Sequence, residues 1–415
     1  MRKNTFVVFI LFSVASLCFF SDSVSASEQD AAAALIERLI EKENPDNTGA
    51  AYLRKLTPHL FDYLRHGFPG EALAPLYQAG SLAELRTLLT KQVGPEVLDF
   101  GSRMFDFFEA QADQMKPVAL NSWRAAVSDR FVFFYRPGSR AEEDADFISA
   151  SSEETLSAII SSLDIESEAG RNTRLLHVSR PDDMAAADLL STGRICVYLH
   201  PGRASAADQL KKSMGRMTFG ATVLSEGEDK GAGRLTARID VVYLNAFSLA
   251  VLHHEIAHAA LFLGSFDAAP LQAKALRGEA DLRKAFFAGY KPIPPFLQEG
   301  IGDYIFYYRV LYPRWPLLAP PAEIVRGLLA SREFIPLKRL LKEGAAFRSQ
   351  RRKAYSLEAA TVVDFLLRTH GPAKLKAWFS SPEKDGARSF ERAFGYSVEE
   401  LESRWKASLL GEGER

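Results

Sequence analysis

His254-Glu255-Ile256-Ala257-His258 lies inside the apolar run Phe247-Ser248-Leu249-Ala250-Val251-Leu252-His253-His254-Glu255-Ile256-Ala257-His258-Ala259-Ala260-Leu261-Phe262-Leu263. On an α-helix, residues four apart stack on one face, so His254 and His258 can point two imidazoles at one ion. Glu255 stands beside them, where its carboxylate can take a proton from an attacking water. The run has no Pro, and no Gly before Gly264, which suits a helix closed by a glycine cap. Asn245 and Ser248 are the start signals. A helix this apolar belongs in a core, and buried polar groups need partners; a metal ion would supply one. The competing reading is a core helix whose histidines are hydrogen-bonded.

Downstream, Pro295-Phe296-Leu297-Gln298-Glu299-Gly300-Ile301-Gly302-Asp303-Tyr304 decides between them. A catalytic zinc takes three protein ligands and keeps a fourth position open. Glu299 is the candidate third ligand. Asp303, four residues on, shares its helical face and has the reach to accept the second ring N–H of a ligating histidine.

His254-Glu255-x-x-His258 followed by Glu299-Gly300-x-x-Asp303 resembles the gluzincins, the thermolysin-like zinc metallopeptidases, and especially their extracytoplasmic "peptidase MA-like" branch. The resemblance implies one Zn²⁺ held by His254, His258 and Glu299, Glu255 as general base, and Asp303 orienting a ligating histidine. It also implies a peptide or protein substrate. A weaker likeness runs from about Ser128 to the end and includes Ala354-Tyr355-Ser356-Leu357-Glu358 and Phe394-Gly395-Tyr396-Ser397-Val398-Glu399. Gluzincins often supply a Tyr or His from a later helix to steady the oxyanion, and Tyr355 opens such a helix. The same ligands would serve a zinc amidase acting on cell-wall peptides, or a zinc-containing scaffold that binds peptides without cutting them.

The surrounding pattern predicts an α+β fold: a small mixed sheet and a helical half forming a zincin-like catalytic domain, preceded by an all-helical N-terminal region. Helical spacing recurs at Ala31–Glu43, Ala51–His66, Ala72–Ala79, Ser81–Lys91 and Pro95–Met115. Strands are expected at Phe131–Tyr135, Arg194–Leu199 and Leu235–Tyr243, the last alternating apolar and polar residues as a half-exposed strand does. It is either an interior strand or, as the resemblance allows, a sheet edge that receives an extended substrate. The turn-rich stretch Glu226–Gly233 reads as a hairpin loop before it. The boundaries that follow are 1–26 for a leader, 27–120 for the helical region and 121–415 for the catalytic domain.

Arg2 and Lys3, the apolar stretch Phe6–Phe20 and Val24-Ser25-Ala26 form a signal peptide, which implies export to a periplasmic or secreted location; an uncleaved anchor is the second choice. Cys18 lies in that leader, and Leu17 fits a lipid-attachment site poorly. The 415 residues are 47% hydrophobic and 25% charged with a net charge of −1, so nothing in the composition suggests nucleic acid, which would want a strongly basic domain. No second apolar span accompanies residues 247–264, and ionisable groups at the centre of that run would be costly in lipid, so no membrane span is expected in the mature chain. Cys196 reads as a buried structural thiol. His253, about 100° round the helix from His254, reads as a satisfied core or supporting histidine. His177 and His200 end strands and read as ordinary histidines. Arg348, Arg351, Arg352 and Lys353 read as a solvated basic loop.

Overall fold

The computed structural model describes residues 26–68, 70–93, 107–108, 110–111, 123–164, 194–202, 220–226, 235–264, 295–317, 320–331, 333–342, 352–379 and 386–411. The segment expected to be a signal peptide, with Cys18, and His177, residues 227–234, Arg348, Arg351 and most of the 95–115 stretch lie outside these residues, as do the side chains of Arg352 and Lys353.

Among the described residues five strands form one mixed sheet: β1 (Arg124–Val127), β2 (Phe131–Tyr135), β3 (Ile195–His200), β4 (Gly220–Glu226) and β5 (Leu235–Val242), in the order β1-β2-β3-β5-β4. The three central strands run parallel, and β1 and β4 close the edges antiparallel. With helices before and after it, this is the α+β arrangement the sequence predicts.

One reading of β5 is corrected. The strand from Leu235 is not an edge; it lies between β3 and β4, and β4 is the edge. Its alternation records two differently built faces rather than a wet one. Ala237, Ile239 and Val241 enter the main core. On the other face Arg238 donates to Asp240 from Nε at 2.8 Å, and His200 Nε2 lies 2.9 Å from Asp240 Oδ1. Burial opposes the charge on Asp240, but the bonds from His200 and Arg238 outweigh it and hold the carboxyl below its usual range. The pairing of Glu226 with Leu235 makes β4 and β5 a hairpin, as the turn-rich linker between them leads one to expect.

Among the described residues, the helices α1 (Ala26–Glu43), α2 (Asn47–Gly67), α3 (Gly70–Tyr77) and α4 (Leu82–Val93) precede the sheet, and residues 107–108 and 110–111 are also helical. Asp46 caps α2 by accepting the Gly49 N–H at 2.6 Å, and Leu53, Leu56, Leu60 and Leu64 bury its apolar stripe. That stripe joins one core with the sheet and the later helices. Trp315 Nε1 donates to Thr57 Oγ1 at 3.0 Å, and the Trp315 ring packs edge-on against Phe247. The N-terminal region thus supports the entry to the motif helix.

Between β2 and β3 in the chain lie α5 (Arg140–Glu143) and α6 (Ala145–Leu163); after the last strand come α7 (Leu249–Gly264), α8 (Pro295–Tyr304), α9 (Pro321–Ser331), α10 (Leu337–Lys342), α11 (Arg352–Phe379), α12 (Gly386–Phe394) and α13 (Val398–Leu410). A π-helical segment, Ile305–Leu311, continues α8 without a break. α8 approaches α11 closely because residue 300 is glycine. A Cβ there would stand 3.0 Å from the Ala359 carbonyl oxygen and 3.1 Å from Val363 Cγ2. Among the described residues no helix is long and apolar enough to cross a membrane.

Candidate metal centre

The start of α7 is set by the residues the sequence marks for it. Asn245 Oδ1 accepts the Phe247 N–H and Ser248 Oγ accepts the Leu244 N–H, both at 3.0 Å, through a short 3₁₀ turn. Leu252, Ile256 and Ala259 then bury one side of the helix in the core. His254 and His258 share the other side, ring against ring at 4.5 Å between centroids and nearly perpendicular.

α8 brings the remaining groups. Glu299 Oε2 lies 3.4 Å from His254 Nε2, and His258 Nε2 lies 2.9 Å from the same nitrogen. His254, His258 and Glu299 each offer a ligand atom, all within 4.8 Å of one another, so the three could hold a metal ion. Ligands about 2.0–2.1 Å from a tetrahedral ion are about 3.3 Å apart, which these separations bracket. Asp303 Oδ1 takes His254 Nδ1 at 2.9 Å. That bond leaves Nε2 as the nitrogen turned to the other two donors.

The electrostatics suit a cation. Burial alone would depress the pKa of His254, but Asp303 and Glu299 outweigh it and hold the imidazole well above its usual value. His258 goes the other way: burial, then the positive His254, push it down. Two imidazole nitrogens and a carboxylate oxygen thus face one another, a donor set that a dication would satisfy. Glu255 is buried on α7, close enough for its charge to act on His258.

Gly302 is a part of the site that sequence reasoning missed. A Cβ there would stand 2.7 Å from His254 Nδ1 and 2.8 Å from Cε1, so the imidazole occupies the space a side chain would fill. The available sign was a second glycine, inside a helix where glycine is unfavourable.

The structure therefore brings His254, His258, Glu299 and Asp303 together, with Glu255 adjacent. Tyr355, in the first turn of α11, is buried with its ring edge-on to Phe296, three residues before Glu299. His253 departs from expectation. It is in the core, lining a small niche with Leu56 and Phe306, but neither ring nitrogen has a hydrogen-bond partner among the described residues. Burial pushes its pKa down to about 3, so it stays neutral, a tolerable occupant of an apolar niche. His200 is a buried structural histidine held by Asp240. Cys196 is buried and its thiol is pushed up to about 12 by burial, which keeps it inert.

Asp303→Asn isolates the orienting bond. The amide keeps the shape but loses the charge and the fixed tautomer of His254. Metal affinity is expected to fall about 10–100-fold with the circular dichroism spectrum unchanged. Zinc titration of the purified variant checks this, and wild-type affinity would show that Asp303 does not orient the ligand.

No protein-family model matches this chain, and no curated protein does.

Proposed function

We propose that this protein is an exported zinc-dependent peptidase with a zincin-like catalytic domain. The observation that carries the reading is the convergence of His254, His258 and Glu299 from two helices, with a buried carboxylate next in sequence and Asp303 on the far ring nitrogen of His254. Zinc, when bound, supplies Lewis-acid polarisation and lowers the pKa of a water toward neutrality.

This chain's residues do the rest. Glu255 accepts the proton of the attacking water and passes it to the leaving amine. Asp303 keeps the His254 proton on Nδ1, so that Nε2 remains a ligand. Tyr355 donates its hydroxyl to the developing oxyanion. The edge strand β4 packs against α7, and an extended peptide adding to that edge would be carried past the donor cluster. The choice of a peptide bond rests on the likeness to gluzincins in His254-Glu255-x-x-His258 and Glu299-Gly300-x-x-Asp303. The leader segment, with its basic start and apolar stretch, supports action outside the cytoplasm.

Quenched fluorescent peptides, incubated with the zinc-loaded and the chelated protein, test the reading. Cleavage that follows zinc occupancy is expected. In Tyr355→Phe, kcat should drop about 10²-fold or more with KM nearly unchanged, because the donor acts on the transition state. Full zinc occupancy without turnover of any peptide would contradict the proposal and favour a peptide-binding scaffold. Cleavage confined to cell-wall peptides would move the substrate to that class.

A further inference from the structure

The two helices that carry the metal donors share a back wall, and part of that wall comes from the N-terminal region. Leu249 and His253 are four apart on α7 and lie on one face, about 100° round the helix from His254. Both line a niche that Tyr52 and Leu56 of α2 line as well. Phe306 and Leu311, from the π-helical segment that continues α8, complete it. The niche is too small to admit a water molecule, so the contact is dry. α2 therefore meets both donor helices at one place.

A second tie starts from the next residue of α2. Thr57 is buried, and its Oγ1 accepts the Trp315 indole N–H at 3.0 Å. Trp315 follows the π-helical segment, and its ring packs edge-on to Phe247 at 5.5 Å, in the turn that opens α7. Leu56 and Thr57 thus each bear on the α7 side and the α8 side of the centre. That matters because the donors are divided between the helices. α7 ends at Gly264 and α8 begins at Pro295, so packing, not a short turn, sets their spacing. Ligand groups must be held to within about 0.5 Å of their working positions by what supports them.

We propose that α2 is a positioning element of the metal centre, setting through Leu56 and Thr57 the separation of the His254 and His258 rings from Glu299. Zinc affinity then depends on the N-terminal region, although none of its residues belongs to the donor cluster. The inference rests on the three-donor centre and not on the reaction it serves.

Competition with a chromophoric chelator gives the zinc affinity of full-length variants, and the visible spectrum of the Co²⁺-loaded chain reports the geometry of the donors. Residues that couple two parts of a fold change the coupling by about 2–30-fold when altered. Leu56→Ala should weaken zinc by about tenfold and shift the cobalt bands. Thr57→Val keeps the shape but loses the acceptor, and should weaken zinc by about threefold or more; Thr57→Ser restores the acceptor and should restore both readouts. Leu35→Ala, in α1, supplies the comparison. It removes a similarly buried leucine of the same region, so it should lower the melting temperature as Leu56→Ala does but leave zinc affinity and the cobalt spectrum at wild type. Wild-type affinity and spectrum in both Leu56→Ala and Thr57→Val would overturn the proposal while the metal centre stands. So would an equal loss in Leu35→Ala, which would make the effect general loosening. Thr57→Val decides alone if Leu56→Ala does not fold. Absence of zinc binding by the wild-type chain would overturn the centre itself, and this inference with it.

Discussion

Glu255→Gln should leave zinc bound and nearly abolish hydrolysis. Gln has the same shape as Glu but cannot take a proton at neutral pH. Glu255 is not one of the three clustered donors, so the amide leaves the grip of His254, His258 and Glu299 in place. Replacing a buried carboxylate by a neutral amide also creates no new buried charge, so the core should hold. A positioned general base contributes about 10²–10⁴ in rate, and kcat should fall by that amount. The check is paired: metal content by elemental analysis and turnover of the fluorescent peptides. Turnover within a few-fold of wild type would remove Glu255 as the base. Loss of metal together with activity would make it a ligand instead.

Gly302→Ala should do the opposite of what helix propensity alone suggests. Alanine in a helix interior is favoured over glycine by about 1 kcal/mol, so the propensity scale predicts a more stable protein. The local geometry predicts damage. The added methyl would stand 2.7 Å from His254 Nδ1, far inside contact distance. The ring cannot retreat freely, because Asp303 holds Nδ1 and Nε2 faces the other donors. α8 cannot retreat either. Residues 300 and 302 point about 200° apart round the helix, and on that other side Gly300 already lies against Ala359. α8 is thus held between α7 and α11 by two glycines. Zinc affinity should fall by about 10–100-fold or more, as it does when the support of a ligand is disturbed. A zinc titration with a thermal melt would measure both effects. A raised melting temperature with wild-type zinc affinity would show that the contact is softer than the geometry implies.

The parts of this account that the sequence revealed are the local ones. His254 and His258 are four apart, and a helix puts them on one face whatever surrounds it. Asp303 follows Glu299 by the same spacing. The capping roles of Asn245 and Ser248 are equally local. Bringing Glu299 to His254 is not local. It depends on how α8 packs across α7, and only the likeness to known zinc sites suggested it.

The edge of the sheet was hidden for another reason. Arg238 and Asp240 look like solvent-facing residues in β5, yet they bond each other and His200 on a covered face, so polarity did not mark exposure. Gly300 and Gly302 were visible only as poor helix formers, because the reason for each lies on a neighbouring helix.

The most direct measurement is calorimetric titration of the metal-free protein with Zn²⁺, beside His258→Ala and Glu299→Ala. One ion per chain, bound tightly by wild type and far more weakly by each variant, is the predicted result. No binding to the folded wild-type chain, or undiminished binding when Glu299 is gone, would contradict a three-donor metal centre and the chemistry built on it.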